Sequence, residues 1–471
     1  MQSRMQKIIC YELNEVPWRV VDRYLEERPK SALGMLLKDS NQFTTSTDDG
    51  GELHPWSTWP TVHRGVSNEV HKIVSLNQDL SNAQQYPPIW KILNKNNIST
   101  GVFGSLQSYP PSNDSNMAFH IPDTFAPGDE TKPMNYQPFQ SFNLKQTGNS
   151  KAVANNVSIS DAVGGAVKLL GCGISMPTFS KIALQLAKEQ LSPIAKSRRS
   201  LLQANLSFDI FMQCMKQKKP MYACYFTNHV AGVMHRYWKY TFPEDFDYNL
   251  SGTKHELYHK ESIFTAMDIF DTHIQRLRNF CEKNGYEIIV ASSMGQEAID
   301  RGEYFAEAQF ADFSLFVKML GFNKRVRENL AMHPDLALEF DAQDELANFS
   351  SLLSSVTDSA GIPILKKVYE PTGNTLNVAL SHSKSLATDK TLVKDGNKYE
   401  LGEWGLELLE RDGGTGYHQP KGILIWENKD GLTHTSREVV NSKSILPAIL
   451  RRYGVTVSEY MQEDKLLEAG S

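Results

Sequence analysis

Five short apolar runs of strand character recur along the chain, separated by segments with helical periodicity. They are KIICYEL, TGVFGS, PMYACYF, YEIIVAS and KGILIWE. Alternation of this kind is typical of an α/β fold in which a mainly parallel sheet carries helices on both faces. The sequence therefore predicts a three-layer α/β sandwich. This limits where chemistry can lie, because ligands of such folds bind beyond the carboxyl ends of the strands.

The helix before the fourth run has the clearest pattern. Its apolar residues follow spacings of four and three, which places them on the face of a helix that packs on the sheet. They are Ile263, Met267, Phe270, Ile274, Leu277 and Cys281. Gly285 stands where a carboxyl-terminal cap is expected, so the helix should end there and the strand should follow.

Two regions break the alternation and are interpreted as insertions into a single domain spanning residues 1–471. Residues 135–219 are polar and then helical, with SKIALQLAKEQL and NLSFDIFMQCMKQ as the expected helices. Residues 304–399 begin within a helical pattern, EYFAEAQFADFSLFVKML, and continue as a cap-like insertion of mixed composition. Insertions at strand ends often form the walls of a pocket.

Composition excludes several classes of protein. The 49 basic and 54 acidic residues give a net charge of -5, which supplies no broad positive field for nucleic acid. The five cysteines form no CxxC pair, so a disulfide framework is not indicated. No apolar stretch resembles a secretory signal or a membrane span. We therefore expect a cytoplasmic protein with a small substrate rather than a nucleic-acid partner.

The segment HPWSTWPTVHRG, residues 54–65, places hydroxyl groups at an expected helix start. Ser57 or Thr58 can cap a helix that Pro60 helps to begin. A hydroxyl there also lies in the positive field of the helix amino terminus, beside free backbone donors that favour an anion. Thr58 is therefore either a cap or a nucleophile whose pKa a metal or a base would lower.

Histidines follow two of the strand-like runs. Asn228, His229 and His235 come after PMYACYF, and His418 follows three glycines and precedes KGILIWE. Imidazole and amide or carboxylate groups suit zinc, manganese or iron, although each histidine could instead have a structural role. Glu12, near the end of the first run, is either a metal ligand or a surface carboxylate.

The order of these motifs resembles the alkaline phosphatase superfamily, and within it the branch of type I phosphodiesterases and nucleotide pyrophosphatases. The residues that carry the resemblance are Glu12 after the first strand, Thr58 before an aromatic-proline pair, His235 in His-Arg-Tyr-Trp, the Ser-x-x-Gly tip of EIIVASSMGQEA, and His418. PPIWKILNKNNISTGVFG, HKIVSLNQ and SKSILPAILRRYGV look like further segments of that branch.

The resemblance implies roles for particular residues. Thr58 looks like the nucleophile, and Glu12, His235 and His418 look like metal ligands. His229 or Asn228 would replace a ligand that is missing. Asn77, Asn228 and Gln296 would contact the substrate.

The sequence departs from the family pattern at its metal ligands. Ser292–Gly295 reads Ser-Ser-Met-Gly where the family has Ser-Asp-His-Gly, and Ala231 replaces the aspartate four residues before His235. Glu12 is longer than the family's aspartate. The surviving ligands therefore predict one divalent metal, zinc or manganese, rather than two.

The leading hypothesis is a metal-dependent hydrolase or transferase of a phosphate ester, with a sulfate ester less favoured. Thr58 would be the nucleophile, and His63 or His71 could act as its base. The alternative is a catalytically impaired protein of the same fold that binds a phosphorylated sugar, a lipid intermediate or a protein partner. The residues at 293 and 294 favour this alternative, whereas Thr58, His235 and His418 favour the enzyme. A cofactor-independent mutase is a third and weaker interpretation.

Overall fold

A computed structural model describes residues 6–76, 78–149, 171–300, 307–329, 335–367, 371, 373–380, 384–409, 415–428, 433–461, 464 and 467. The chain divides into two compact units. The first comprises Met1–Ile73, Leu80–Ala298 and Gly416–Ser471, and the second comprises Val74–Asp79 and Ile299–Thr415.

In the described part of the chain, seven strands of the first unit come before those of the second unit. They are β1 (Lys7–Leu13), β2 (Ser40–Ser46), β3 (Thr100–Phe103), β4 (Met117–Ile121), β5 (Tyr222–Thr227), β6 (Tyr286–Ala291) and β7 (Gly295–Ala298). The second unit contributes β8 (Glu307–Phe310), β9 (Arg327–Asn329), β10 (Asp335–Glu339), β11 (Val356–Asp358), β12 (Leu365–Lys367), β13 (Thr375–Leu380), β14 (Thr391–Lys394), β15 (Asn397–Glu400) and β16 (Leu406–Leu409). The first unit resumes with β17 (Gly416–Gln419), β18 (Lys421–Glu427) and β19 (Val439–Asn441).

The helices of the first unit are α1 (Trp18–Glu27), α2 (Ala32–Lys38), α3 (Pro55–Arg64), α4 (Asn68–His71), α5 (Ile89–Lys95), α6 (Gln137–Asn149), α7 (Met176–Leu191), α8 (Leu201–Lys218), α9 (His229–Thr241), α10 (Lys254–Lys260) and α11 (Ser262–Asn284). The second unit contains α12 (Phe313–Leu320), α13 (Gln343–Leu353) and α14 (Lys384–Asp389), and α15 (Ile445–Arg452) closes the first unit.

A central sheet dominates the first unit. Among the described residues its order is β19-β2-β18-β6-β1-β5-β3-β4. All of these strands except β18 run in one direction, because β18 is antiparallel to both of its neighbours. All five apolar runs identified in the sequence are strands of this sheet, and the predicted mainly parallel α/β fold is confirmed.

The two faces of the sheet bury different halves of each strand. In β1 the side chains of Ile9, Tyr11 and Leu13 pack with α1, α2, α8, α9 and α11. Ile8 and Cys10 point to the other face, where they pack with α3, α5 and α15. The period of two in a strand produces this division. A central strand that is apolar on both faces is typical of a parallel sheet covered by helices on each side.

The expected helix before β6 is α11, and it ends at Gly285 in the left-handed conformation, as predicted. The two helices expected within residues 135–219 are also present, as α7 and α8. The helical pattern of residues 303–320 is only partly realised. Helix α12 begins at Phe313, because the Asp312 side chain accepts a hydrogen bond from the backbone of Leu315, and β8 precedes it.

The second unit has its own apolar core and several small antiparallel sheets. Its strands pair as β12-β13-β10-β9, β11-β14-β15 and β16-β8. Phe316, Phe349 and Trp404 are among the buried side chains that hold α12, α13 and these strands together. Within the ranges that the structure describes, no helix in either unit is long and apolar enough to span a bilayer.

Candidate metal centre

The carboxyl ends of neighbouring parallel strands bring polar residues together. Strands β6, β1 and β5 lie side by side, with Glu12 aligned with Ala291 on one side and Phe226 on the other. Asn14 and Glu15 follow β1, and Asn228 follows β5. The strand β17 pairs with β7 and places His418 beside Gln296 at the same edge.

Three side chains converge there. The Glu15 Oε2 atom lies 3.0 Å from Nε2 of His235 and 3.4 Å from Nε2 of His418. The carboxylate of Glu15 is buried, whereas about a third of the His235 side chain (31 %) is exposed to solvent. The group is therefore reachable from outside even though its carboxylate is enclosed. We call Glu15, His235 and His418 the three-residue cluster.

Neighbouring groups hold the carboxylate of the cluster in place. Glu15 has a φ of 61°, in the left-handed region that side chains other than glycine rarely adopt. Asn14 Nδ2 donates to Glu15 Oε1 at 2.6 Å, and Gln296 Nε2 donates to Glu15 Oε2. Gln296 also donates to the carbonyl of Ala231 at 3.2 Å. This backbone geometry is uncommon, and it persists because several hydrogen bonds fix it.

The close approach of β17 to α9 brings the two histidines together. A Cβ atom added at Gly416 would lie 2.6 Å from the carbonyl oxygen of Met234, so only glycine allows this approach. The Gly416 carbonyl accepts a hydrogen bond from His235 Nδ1 at 2.8 Å. Because a carbonyl can only accept, Nδ1 carries the proton, and Nε2 is the atom that faces Glu15.

The electrostatics of the cluster are strongly coupled. Burial by itself raises the pKa of Glu15, but the charges of His418 and His235 and the hydrogen bonds from both hold that pKa well below its ordinary value. Burial lowers the pKa of His418, and the Glu15 carboxylate more than offsets this, so the net pKa is raised. The ring of His54 stacks on Trp56 and contacts the ring of His418 edge to face. Burial and the charge on His418 lower the pKa of His54 to about 4.

The donor set of the cluster fits a divalent cation. One atom each from Glu15, His235 and His418 lie within 4.8 Å of one another, a separation that lets all three reach one ion. Two imidazole nitrogens and a carboxylate oxygen suit zinc, manganese or iron and leave at least one coordination position open. The His235 hydrogen bond to a backbone carbonyl is the kind of support that orients a ligating imidazole.

The structure places Glu12, the carboxylate selected from the sequence, in a different cluster. Its Oε1 accepts from His63 Nε2 at 2.7 Å, and its Oε2 accepts from Ser105 Oγ at 2.8 Å. All three residues are buried. Glu12 therefore faces one histidine and a serine, whereas Glu15 faces two histidines. We call Glu12, His63 and Ser105 the closed cluster.

Thr58 lies inside α3 rather than at its start. The helix begins at Pro55, His54 occupies the cap position, and the backbone amide of Thr58 donates to the carbonyl of His54 at 3.0 Å. The prediction that Ser57 or Thr58 caps the helix is therefore wrong, because Pro55 takes the first-turn position expected for Pro60. Thr58 is fully buried, and its Oγ1 lies 2.8 Å from Oγ of Ser293.

The tip after β6 keeps the geometry of a turn. Its carbonyl groups and hydroxyls are tied to neighbouring strands, since Thr45 Oγ1 donates to the Ser292 carbonyl at 2.7 Å and Ser292 Oγ donates to the Leu13 carbonyl. A Cβ atom at Gly295 would lie 2.1 Å from the carbonyl oxygen of Lys421, so glycine is required here. Ser293 and Met294 are fully buried.

Of the remaining predicted residues, one lies beside the cluster and one does not. Asn228 Oδ1 accepts from Asn14 Nδ2 at 2.6 Å, which places it beside the residue that holds Glu15. His229 bonds Thr227 Oγ1 through Nδ1 at 2.8 Å and the Ala266 carbonyl through Nε2 at 3.1 Å, so the structure does not bring it to His235 and His418. Asn77 lies outside the described residues.

Glu15 is the candidate ligand that sequence reasoning did not select. Glu12 was chosen because its position at the end of β1 resembles that of the family's first aspartate. Glu15 follows the strand in a turn, where a carboxylate with a positive φ is an uncommon arrangement. The sequence contains one signal for it. Ala231 has no carboxylate, and a metal site that loses one ligand needs another nearby.

The fold and the cluster together define an α/β protein with a candidate one-metal centre at the carboxyl edge of its sheet. No protein-family model matches the chain, and no curated protein matches it.

Solved structures do match the fold over almost its full length. Murine ectonucleotide pyrophosphatase/phosphodiesterase 5 in complex with AMP is 9 % identical, with 98 % of each chain covered and a TM-score of 0.45. Phosphonoacetate hydrolase from Sinorhizobium meliloti in complex with phosphonoformate is 10 % identical, with 96 % of this chain and 98 % of that chain covered and a TM-score of 0.43. An alkaline phosphatase mutant with bound magnesium is 10 % identical, with 96 % and 100 % covered and a TM-score of 0.38.

Proposed function

We propose that this protein is a metal-dependent hydrolase or transferase that acts on a phosphate ester, with a single zinc or manganese ion held by the three-residue cluster. The observation that carries the proposal is the convergence of Glu15, His235 and His418 within 4.8 Å at the carboxyl edge of the sheet. When bound, the cation would polarise a phosphoryl oxygen and stabilise the charge that develops on it.

Thr58 is the proposed nucleophile. Its Oγ1 would form a bond to phosphorus while the bond from phosphorus to the leaving alcohol breaks, and the hydroxyl proton would end on that alcohol. Water would then cleave the Thr58 phosphoester, whereas a second alcohol in its place would make the protein a transferase.

Helix α3 supports this assignment, because it links the proposed nucleophile to the three-residue cluster. His54 at its start meets the ring of His418 with centroids 5.8 Å apart, and Thr58 lies one turn further along. Asn228 and Gln296, beside Asn14 and Glu15, are the proposed substrate contacts.

A second candidate function is a binding protein of the same fold without turnover. The burial of Thr58 favours it, since the hydroxyl is enclosed and lies against Ser293, which is not a base at neutral pH. The closed cluster favours it as well, because the Glu12 carboxylate already accepts hydrogen bonds from His63 and Ser105. In this case the cluster would bind metal and a phosphorylated ligand without covalent chemistry.

The deciding experiment measures the metal content of the purified protein and then its hydrolysis of bis-p-nitrophenyl phosphate, with and without added zinc or manganese. If the enzyme proposal is right, metal should be present or should restore turnover. Thr58→Ala should then lower turnover by on the order of a thousandfold or more while metal stays bound. The matched control is Thr265→Ala on α11, a half-buried threonine whose hydroxyl donates to the Glu261 carbonyl at 2.7 Å.

The outcomes separate the two candidates. Metal binding with no turnover of any phosphoester would support the binding protein and reject the enzyme. Turnover that is unchanged in Thr58→Ala would remove the nucleophile assignment. A protein that binds no zinc or manganese at any concentration would reject both.

A further inference from the structure

Helix α7 presents its apolar side to solvent and its polar side to the protein. At about 100° per residue, five large apolar side chains and two alanines share an arc of roughly 160°, in which Ser180 and Gln190 also lie, whereas the half-buried Ile182 lies outside it. The five large side chains are exposed: Met176, Phe179, Leu184, Leu186 and Leu191. In a helix of a soluble domain this arc normally faces the core.

The opposite side of α7 docks on the unit through polar contacts. The side chain of Ser175, which caps the helix, donates to Asp209 Oδ2 at 2.7 Å. Gln185 Nε2 donates to the Ala195 carbonyl at 2.7 Å, and the buried carboxylate of Glu189 pairs with Arg199. These contacts fix which side of the helix points outward, so the outward position of the leucines follows from how the polar side is bound.

Basic residues flank the apolar arc. Lys181 and Lys188 lie next to one edge of it and are exposed, and Lys196 is exposed in the segment that follows. Residues 171–200 contain five basic residues and a single acidic one, Glu189, which is buried and paired. The outward side is therefore apolar with a positive flank, in a chain whose net charge is -5.

We propose that α7 is a docking surface for an anionic membrane. An exposed apolar arc flanked by lysines is the pattern of a helix that lies in the plane of a lipid–water interface, with its leucines in the acyl boundary and its lysines at anionic headgroups. Charge selects this occupant over a second copy of the chain. A second copy packed antiparallel would place lysines against lysines, and the surface offers no carboxylate to pair with them.

The test is sedimentation of the full chain with vesicles. Phosphatidylcholine vesicles containing about a third phosphatidylserine should pellet the protein, pure phosphatidylcholine vesicles should pellet much less, and added salt should reduce binding. Leu184→Gln combined with Leu191→Gln should weaken binding by at least about tenfold. Lys181→Gln combined with Lys188→Gln should weaken it by about tenfold for the anionic vesicles alone.

Leu257→Gln on α10 is the matched control. Leu257 is 54 % exposed, compared with 57 % for Leu184, but it lies outside the α7 arc, so its substitution should leave binding unchanged. Circular dichroism and urea denaturation check that each variant is folded. Because the replaced leucines point to solvent, their loss should not lower the stability of the unit.

Three results would overturn the proposal. The first is equal binding to both kinds of vesicle, or to neither. The second is a concentration-dependent dimer, seen by analytical ultracentrifugation without lipid, that the Leu184 and Leu191 substitutions abolish; it would assign the surface to a second copy. The third is slow hydrogen exchange along α7 in the free monomer together with no vesicle binding, which would show that the chain itself covers the arc.

Discussion

Two glutamates three residues apart, Glu12 in strand β1 and Glu15 just beyond its end, have different surroundings in the fold. Glu15 meets two histidines in a cluster that solvent can reach and that leaves room for a cation. Glu12 meets one histidine, His63, and Ser105 in a cluster whose three residues are all buried. A carboxylate at a strand end is thus insufficient to identify a metal ligand, because what matters is how many ligating side chains face it.

The difference has a geometric cause. Glu12 belongs to the strand, and the period of two sends it to the same face as Ile8 and Cys10, where α3 brings His63. Glu15 lies beyond the strand, where side chains no longer alternate between the two faces of the sheet. Its left-handed backbone directs the side chain towards α9 and β17 instead. One strand therefore supplies both sites.

The largest expected effect is on zinc binding, when the charge of each glutamate is removed separately. Glu15→Gln should weaken zinc binding by about a thousandfold, because a structural zinc ion gains about 10–16 kcal/mol from roughly four ligands. Glu12→Gln should change the dissociation constant by no more than about threefold, since Glu12 is not one of the three side chains whose ligand atoms converge. Isothermal titration with zinc measures both. Equal losses in the two variants would show that Glu12 is also a ligand.

Glu12→Gln should also lower stability in the absence of metal. It replaces the carboxylate that accepts two buried hydrogen bonds, from His63 and Ser105, by a neutral amide, and disturbing buried hydrogen bonds in this way costs about 1–3 kcal/mol of the free energy of unfolding. Urea denaturation without metal measures it. Glu244→Gln, which breaks an exposed pair with Arg19, is the control and should cost less than about 1 kcal/mol. A loss in Glu12→Gln no larger than in the control would mean that the closed cluster contributes little to folding.

The sequence predicted the apolar strands of the central sheet better than its polar strands. The apolar runs became β1, β3, β5, β6 and β18 because each is buried on both faces, which leaves a continuous hydrophobic signal. Strand β2, SNQFTTS, carries mostly polar residues, and its pairing with β18 and β19 supplies what its own sequence does not. The formation of such strands depends on pairing with their neighbours, so the hydrophobic periodicity of the sequence does not reveal them.

The site was predicted only in part. His235 and His418 could be selected because each lies in a short motif near a strand. Ala231 indicated that a replacement ligand was needed, but the sequence did not identify Glu15 as that residue, because its position depends on a turn conformation and on β17 reaching α9 past Gly416. His229 was expected beside His235, but α9 turns its ring toward Thr227 and Ala266. Side-chain direction at a helix start is set by tertiary packing.

His229 provides a third way to sharpen the comparison, through the pH dependence of stability. Burial lowers its pKa to about 4, and the hydrogen bond to the Ala266 carbonyl offsets this only partly. In the unfolded chain the pKa returns to about 6.5, so the unfolded state binds the extra proton. Its contribution is complete above about pH 6.5 and is lost as the pH falls toward 4, by about 3 kcal/mol in total.

His229→Gln should flatten this part of the profile, measured by urea denaturation between about pH 7 and pH 4. The ring of His273, 6.0 Å away and also buried, has its pKa lowered by burial and by the charges of His229 and Arg276. It remains in both proteins, but His229 itself lowers its pKa, so the difference between the two profiles reports the loss of His229 together with the change that this loss causes at His273. His434→Gln at the surface is the control. An unchanged slope in His229→Gln would mean that the ring is protonated in the folded state.

The smallest expected effect tests whether Glu15 needs its support. Gln296 donates to Glu15 and to the Ala231 carbonyl, and so ties the carboxylate to the start of α9 at the point where the sequence lacks an aspartate. Gln296→Ala should therefore weaken zinc binding by about tenfold, the usual cost of removing a partner that orients a ligand. Gln296→Glu should behave differently, because it places a second carboxylate beside Glu15 and adds a charge that a cation can neutralise. If Gln296 only fills space, Gln296→Met should bind zinc as tightly as the natural protein; if it orients Glu15, Gln296→Met should match Gln296→Ala.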